Sequence, residues 1–207
     1  TVTPATNSIT AAMVGNDLIS GKDALAATPA DTDELLISDA GTLKRIDFSH
    51  LKTGVTEADQ YRVTANITSD ANPISSNLER TDDASFEKIG TGMSVSSGTF
   101  SFPSTGLYQV ITTVRGYSTS SNDSFGIYTS ATTNNSSYDN IAQTFVGSES
   151  SNTVSQTATM INFVNVTDTS NVKVRFEAGS ILSGSVLQGD TDQNKTSFTF
   201  IRLGDSQ

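Results

Sequence analysis

Cysteine and tryptophan are absent from this chain, histidine occurs once, and proline occurs only four times in 207 residues. Without cysteine there is no disulfide and no thiolate metal site, so stability must come from packing or from oligomerisation. Basic residues are scarce as well: 12 Lys and Arg stand against 22 Asp and Glu, a formal net charge of −10. That balance opposes phosphate backbones and anionic membrane surfaces, and it removes nucleic acid from the expected partners. No run of about 18 apolar residues occurs, nor a charged start followed by an apolar segment. The sequence therefore carries neither a helical membrane span nor a secretion-signal pattern.

What the chain does contain is strand chemistry. Serine and threonine number 30 each, glycine 15, and short runs of Val, Ile, Phe and Tyr recur after residue 60 with no helical periodicity of useful length. The stretch Gly98 to Tyr117, GTFSFPSTGLYQVITTVRGY, reads as a strand, a corner at Pro103 to Gly106, and a long strand. Tyr108, Val110, Thr112 and Val114 share one face of that strand, while Leu107, Ile111 and Tyr117 place apolar groups on the other. Both faces are thus expected to be covered. Tyr61, Val63, Ala65 and Ile67 alternate with polar residues as a half-buried strand. Further strands are expected at 77–81, 86–95, 125–130, 141–146, 153–166, 172–176 and 197–203. Met160, Ile161, Phe163 and Val164 are all expected to be buried. Eight to ten strands at this spacing indicate an all-β sandwich or jelly roll over residues 59–207.

Residues 1–58 read differently. Their apolar positions are too sparse to bury themselves, so the segment needs a partner. Leu35 to Ile37, a turn at Asp39 to Gly41, and Leu43 to Phe48 predict a β-hairpin near 35–48. Leu18-Ile19-Ser20 and Leu36-Ile37-Ser38 each reach a leucine seven residues after their own first leucine, an echo of the kind a shaft of short repeats would carry.

The order of residues resembles a known family. Gly98-Thr99-Phe100-Ser101-Phe102-Pro103 followed by Gly106-Leu107-Tyr108 resembles the complement one-q globular head. Asn77 to Arg80, Phe86 with Gly90 and Gly92, and the closing SFTFIRL with Gly204 look like the flanking strands of the same domain. The resemblance spans roughly residues 60 to 205. It implies a ten-strand jelly roll, like that of tumour necrosis factor, assembled as a tight homotrimer. Ile111, Thr113 and Tyr117, with Phe198 and Phe200, are then the expected trimer contacts. Asp31 to Asp39 and Gly41 to Ile46 are similar to short segments of bacteriophage tail fibres, where small β units thread three chains together ahead of a globular tip. The Gly-X-Y stalks usual in animal members of the head family are absent here. The combination leads us to expect a virion protein, a trimeric tail-fibre or spike tip for host attachment. Residues 1–55 would contact other virion proteins. A capsid, neck or tail decoration protein and a bacterial surface adhesin are the alternatives.

His50 follows Ser49, but adjacent strand residues point to opposite faces and cannot share a proton. No G-x-S-x-G, phosphate loop or His-Glu-x-x-His occurs. The acidic groups Asp31/Asp33/Glu34, Asp82/Asp83 and Asp190/Asp192 lie in polar loop contexts and read as solvated. Asp190 to Asn194 begins like an EF-hand, but Lys195 and Ile201 stand where glycine and glutamate are required. Asn-x-Ser/Thr occurs six times, against about four expected by chance in so Ser/Thr-rich a chain, which carries no glycosylation signal. No enzyme activity, cofactor or metal is expected. Tyr128 and Tyr138 are the candidate ligand contacts, for a host-surface glycan or protein.

Overall fold

The computed structural model describes residues 23, 25, 27–51, 54–148 and 152–207. Residues 1–22, with the first copy of the seven-residue echo, lie outside the described set. The chain divides into two units between Gly54 and Val55. The expectation had placed that division at 58/59. Glu57 belongs to the second unit because its carboxylate accepts from the backbone of Thr91 and Gly92, and its carbonyl accepts from Arg202 N–H at 2.9 Å.

In the first unit, β1 (Glu34–Asp39) and β2 (Thr42–Asp47) form an antiparallel hairpin. Ala40 and Gly41 close it with φ of +48° and +84°. Two consecutive positive φ values match the right-handed twist of the flanking strands, as a primed two-residue turn requires. Asp39 pairs with Lys44 and Glu34 with Arg45 across the strands. Leu36 and Leu43 remain 72% and 70% exposed.

The second unit is a jelly-roll β-sandwich with eleven strands among the described residues, one more than the ten expected. They are β3 (Ala58–Val63), β4 (Leu78–Arg80), β5 (Ser94–Ser96), β6 (Thr99–Ser101), β7 (Gly106–Ser118), β8 (Asn122–Thr132), β9 (Asp139–Ser148), β10 (Asn152–Val166), β11 (Lys173–Gly179), β12 (Ser185–Leu187) and β13 (Ser197–Gly204). One sheet runs in the order β10-β7-β13-β3-β4, with β12 paired to the end of β7; the other runs β5-β6-β11-β8-β9. The sequence reading had anticipated no strand at β12. It had also extended a strand over 86–93, where the chain is instead a loop pinned by Glu57 and Asp59.

Every even residue of β7 from Gly106 to Ser118 is buried and every odd one is partly exposed. Phe100 sits at the centre of the core, with the rings of Tyr61, Phe176 and Phe200 at 5.2, 5.4 and 5.3 Å. Phe176 and Phe198 stack from opposite sheets at 3.8 Å. These rings join the two layers, and burying each removes about 150–250 Å² of surface from water. At the corner before β7, a Cβ on Gly106 would lie 2.6 Å from the carbonyl oxygen of Gly204, so only glycine lets the two backbones approach.

Candidate interaction surfaces

The outer face of the first sheet is built from the odd positions of β7 and their partners. Ile111 lies between Ile161 on β10 and Thr199 on β13. The row on one side is Phe163, Gln109, Ile201 and Ala58; the row on the other is Thr159, Thr113, Ser197 and Arg62. Ile161 and Phe163 are 57% and 58% exposed. Both had been expected inside. The antiparallel register pairs them with Ile111 and Gln109, odd positions of β7 that face outward, so they share that face. Hydroxyls on the face bond sideways, Thr113 to Thr159 at 3.2 Å, and the Gln60 amide donates to Thr199 at 2.7 Å. Apart from Arg62 at the β3 margin, these three rows hold no charged side chain, in a chain of net charge −10.

Of the expected trimer contacts, Ile111, Thr113 and Tyr117 lie on this face. Phe198 and Phe200 do not. Register places Phe198 opposite Thr112 and Phe200 opposite Val110, on the inner face, where they are 0% and 1% exposed. A side chain fully buried within its own chain has no surface to offer a second one. The outward neighbours of Ile111 and Thr113 on β13 are Thr199 and Ser197, which the sequence reading did not single out.

Arg62 marks the border of the apolar face and is itself buried. Its Nε donates to Glu79 at 2.6 Å, and its terminal nitrogens pair with Asp82 and Asp83. Burial alone would lower the guanidinium pKa, but the three carboxylates around it raise it above the ordinary arginine value. Asp82 and Asp83, expected as free solvated acids, are thus clamps that neutralise a buried cation. Nearby, Asp59 is enclosed and accepts from Arg80 at 2.9 Å and from Met93 N–H at 2.7 Å. That contact holds the Arg80 pKa high.

Tyr128 and Tyr138 are each laid against neighbouring side chains of the second sheet. The Tyr138 ring covers the Arg175 guanidinium at 3.7 Å from its centroid, and its buried hydroxyl has no hydrogen-bond partner among the described residues. Tyr128 packs edge-on to Phe145 at 4.9 Å and lies over Gly179. Between them, the Ser130 hydroxyl donates to Glu177 at 2.7 Å and meets the Asn140 amide.

No group of three or more His, Asp or Glu suited to a metal ion occurs among the described residues. In the 190–194 loop, Asp190 uses one carboxylate oxygen to accept from the backbone of Asp192 and Gln193 and the other to meet Lys195. The Lys195 ammonium, with those backbone donors, lowers the Asp190 pKa to about 2. Ser49 and His50 stand in an exposed turn after the hairpin, Phe48–His50.

No family model matches the chain, and no curated protein matches it in sequence. Solved structures do match. Eiger TNF from S. frugiperda superposes with a TM-score of 0.52 at 15% identity, over 74% of this chain and 96% of that one. The globular domain of zebrafish complement 1qA protein gives 0.44 at 15%, over 72% and 99%. PRD1 vertex protein P5 gives 0.42 at 20%, over 73% and 100%. At such identities the likeness is one of fold, and the Eiger superposition carries it. It establishes the jelly roll and leaves the particular family open.

Proposed function

We propose that the chain is a non-enzymatic homotrimeric attachment protein of a virion, with residues 55–207 as the displayed head. One observation carries the trimer: the longest strands of the head, β7 and β10, present an outward patch around Ile111, Ile161 and Phe163 whose rows carry no charged side chain, Arg115 standing beyond them. A 15-residue β10 at the sheet edge, with large apolar side chains turned outward, is a liability unless another surface covers it. A second and third copy, packed about a threefold axis, would cover it with the same face or with its neighbours. An obligate assembly of this kind buries more than about 2,000 Å².

The virion placement rests on the likeness of the hairpin segment to tail-fibre units and on its chemistry. Leu36 and Leu43 lie exposed on a two-stranded hairpin that is marginal by itself. This segment is the part that would join other virion proteins. Function would then be multivalent, with three aligned weak sites raising the effective affinity by about 10²–10⁴.

Light scattering on the full chain at micromolar concentration tests assembly, with three times the mass of the 21.8 kDa chain as the expected result. A stable monomer would overturn it. Deleting residues 55–207 from the particle tests the role: intact particles that no longer adsorb support attachment, whereas unstable particles point to a cementing protein.

A further inference from the structure

The loop joining β3 to β4 folds around a crevice of about 220 Å³. Its apolar lining comes from Ile67, Ala71 and the buried Ile74. Its rim is polar and exposed: the hydroxyls of Thr68, Ser69, Ser75 and Ser76, with the side chains of Asn66 and Asn77. Those four hydroxyls have no hydrogen-bond partner among the described residues. No charged side chain lines the crevice.

The crevice is preformed because both sheets hold the loop. Ile67 exchanges backbone hydrogen bonds with Leu187 at 2.9 and 3.0 Å, and Ala71 does so with Ala178 at 3.0 and 2.9 Å. Ile74 N–H donates to Phe176 at 2.8 Å, and Thr64 N–H donates to Asn77 at 2.9 Å. Two acceptors from within the loop finish the frame: Asp70 takes Ile181 N–H at 2.7 Å and Asn66 takes Gly189 N–H at 3.1 Å. Position matters as well. The chain enters the head at Val55, next to β3's first residues, while the loop leaves from β3's far end. The crevice therefore lies beyond the end of β3 opposite to the one at which the chain enters.

We propose that this crevice is a subsite for one neutral sugar ring of a host-surface glycan. Apolar side chains beside four unpaired hydroxyls match the C–H face and the O–H rim of a pyranose. The absence of charge disfavours ionic ligands over neutral polyols. The volume accommodates about seven waters, or a single ring displacing them. A ligand of about a dozen heavy atoms binds such a site in the millimolar range at ordinary efficiency, which trivalent display would strengthen. The glycan's host origin rests on the attachment function proposed above; the sugar site itself does not.

The test uses the full chain with isotope-labelled isoleucine methyl groups, titrated with methyl glycosides of glucose, galactose and mannose and with N-acetylglucosamine. At least one should shift the Ile67 and Ile74 methyl signals while leaving core Ile127 unmoved. Ser76→Trp, which fills the crevice from its exposed rim, should abolish the shift. Thr68→Val, which removes one hydroxyl at constant shape, should raise Kd about 3- to 10-fold. No shift at Ile67 and Ile74 with any of the four sugars overturns the proposal, as does a shift that survives Ser76→Trp. Particle adsorption by the Ser76→Trp variant separates the two claims: sugar binding in the parent chain with adsorption unchanged in the variant leaves the crevice standing and removes its role in attachment. Adsorption by a chain that binds no sugar leaves attachment standing and removes the crevice.

Discussion

Ile111 on β7 and Ile161 on β10 lie directly opposite each other, with both side chains on the outer face of the first sheet. Neither contributes to the sandwich core. Ile161 is 57% exposed on that face.

Charge at this position should therefore separate assembly from folding. Ile161→Asp together with Phe163→Ser should convert the proposed trimer to a folded monomer. Light scattering would report the mass and circular dichroism the retained β signal. A trimer of unchanged mass would place the interface elsewhere.

The inner face should respond in the opposite way. Phe200→Ala removes a ring packed against Phe100 and Phe102, and about 3–5 kcal/mol of stability should be lost, with the denaturation midpoint falling accordingly. Loss of assembly here should follow unfolding, never precede it.

Asp59 ties three segments together: β3, the Arg80 side chain of β4, and the backbone of Met93. Asp59→Ala leaves a guanidinium without its carboxylate and a buried N–H without an acceptor. The cost should be about 3–5 kcal/mol, measured by chemical denaturation. Asp59→Asn keeps an acceptor for Met93 and should cost less.

The Asp190 carboxyl has its pKa lowered to about 2 by Lys195 and by backbone donors. A group with a depressed folded pKa stabilises the fold above its unfolded value, near 4, and that contribution is lost as pH falls toward 2. The parent chain should therefore lose stability between about pH 4 and pH 2, and Asp190→Asn should show a shallower acid loss over that window. Identical acid profiles for the two proteins would refute the assignment.

Much of this architecture is legible in the residues themselves. Alternation in Tyr108, Val110, Thr112 and Val114 is enough to identify the inner face of β7, because a strand's side chains change sides with every residue. Turn chemistry at Pro103 to Gly106 is enough to place the corner. The hairpin turn at Ala40-Gly41 follows from the same local rules.

Partnership between strands is not local, and here the sequence misled. Ile111, Phe198 and Phe200 are all large and apolar, so nothing in their identity distinguishes a face. The register of β13 against β7, set by pairing along the whole ladder, turns the phenylalanines inward and leaves Thr199 beside Ile111. The same ladder turns Ile161 and Phe163 outward. Likewise, Asp82 and Asp83 look like solvated loop acids until tertiary structure brings Arg62 beneath them. Ile67 reads as part of a strand begun at Tyr61, yet β3 stops at Val63 and contacts from both sheets hold residues 66–77 as a loop. Local preference determined which segments are strands and which side of each is apolar. Only the packed sandwich decided which apolar side meets its own core, because that choice depends on contacts between residues as far apart as Ala58 and Ile201.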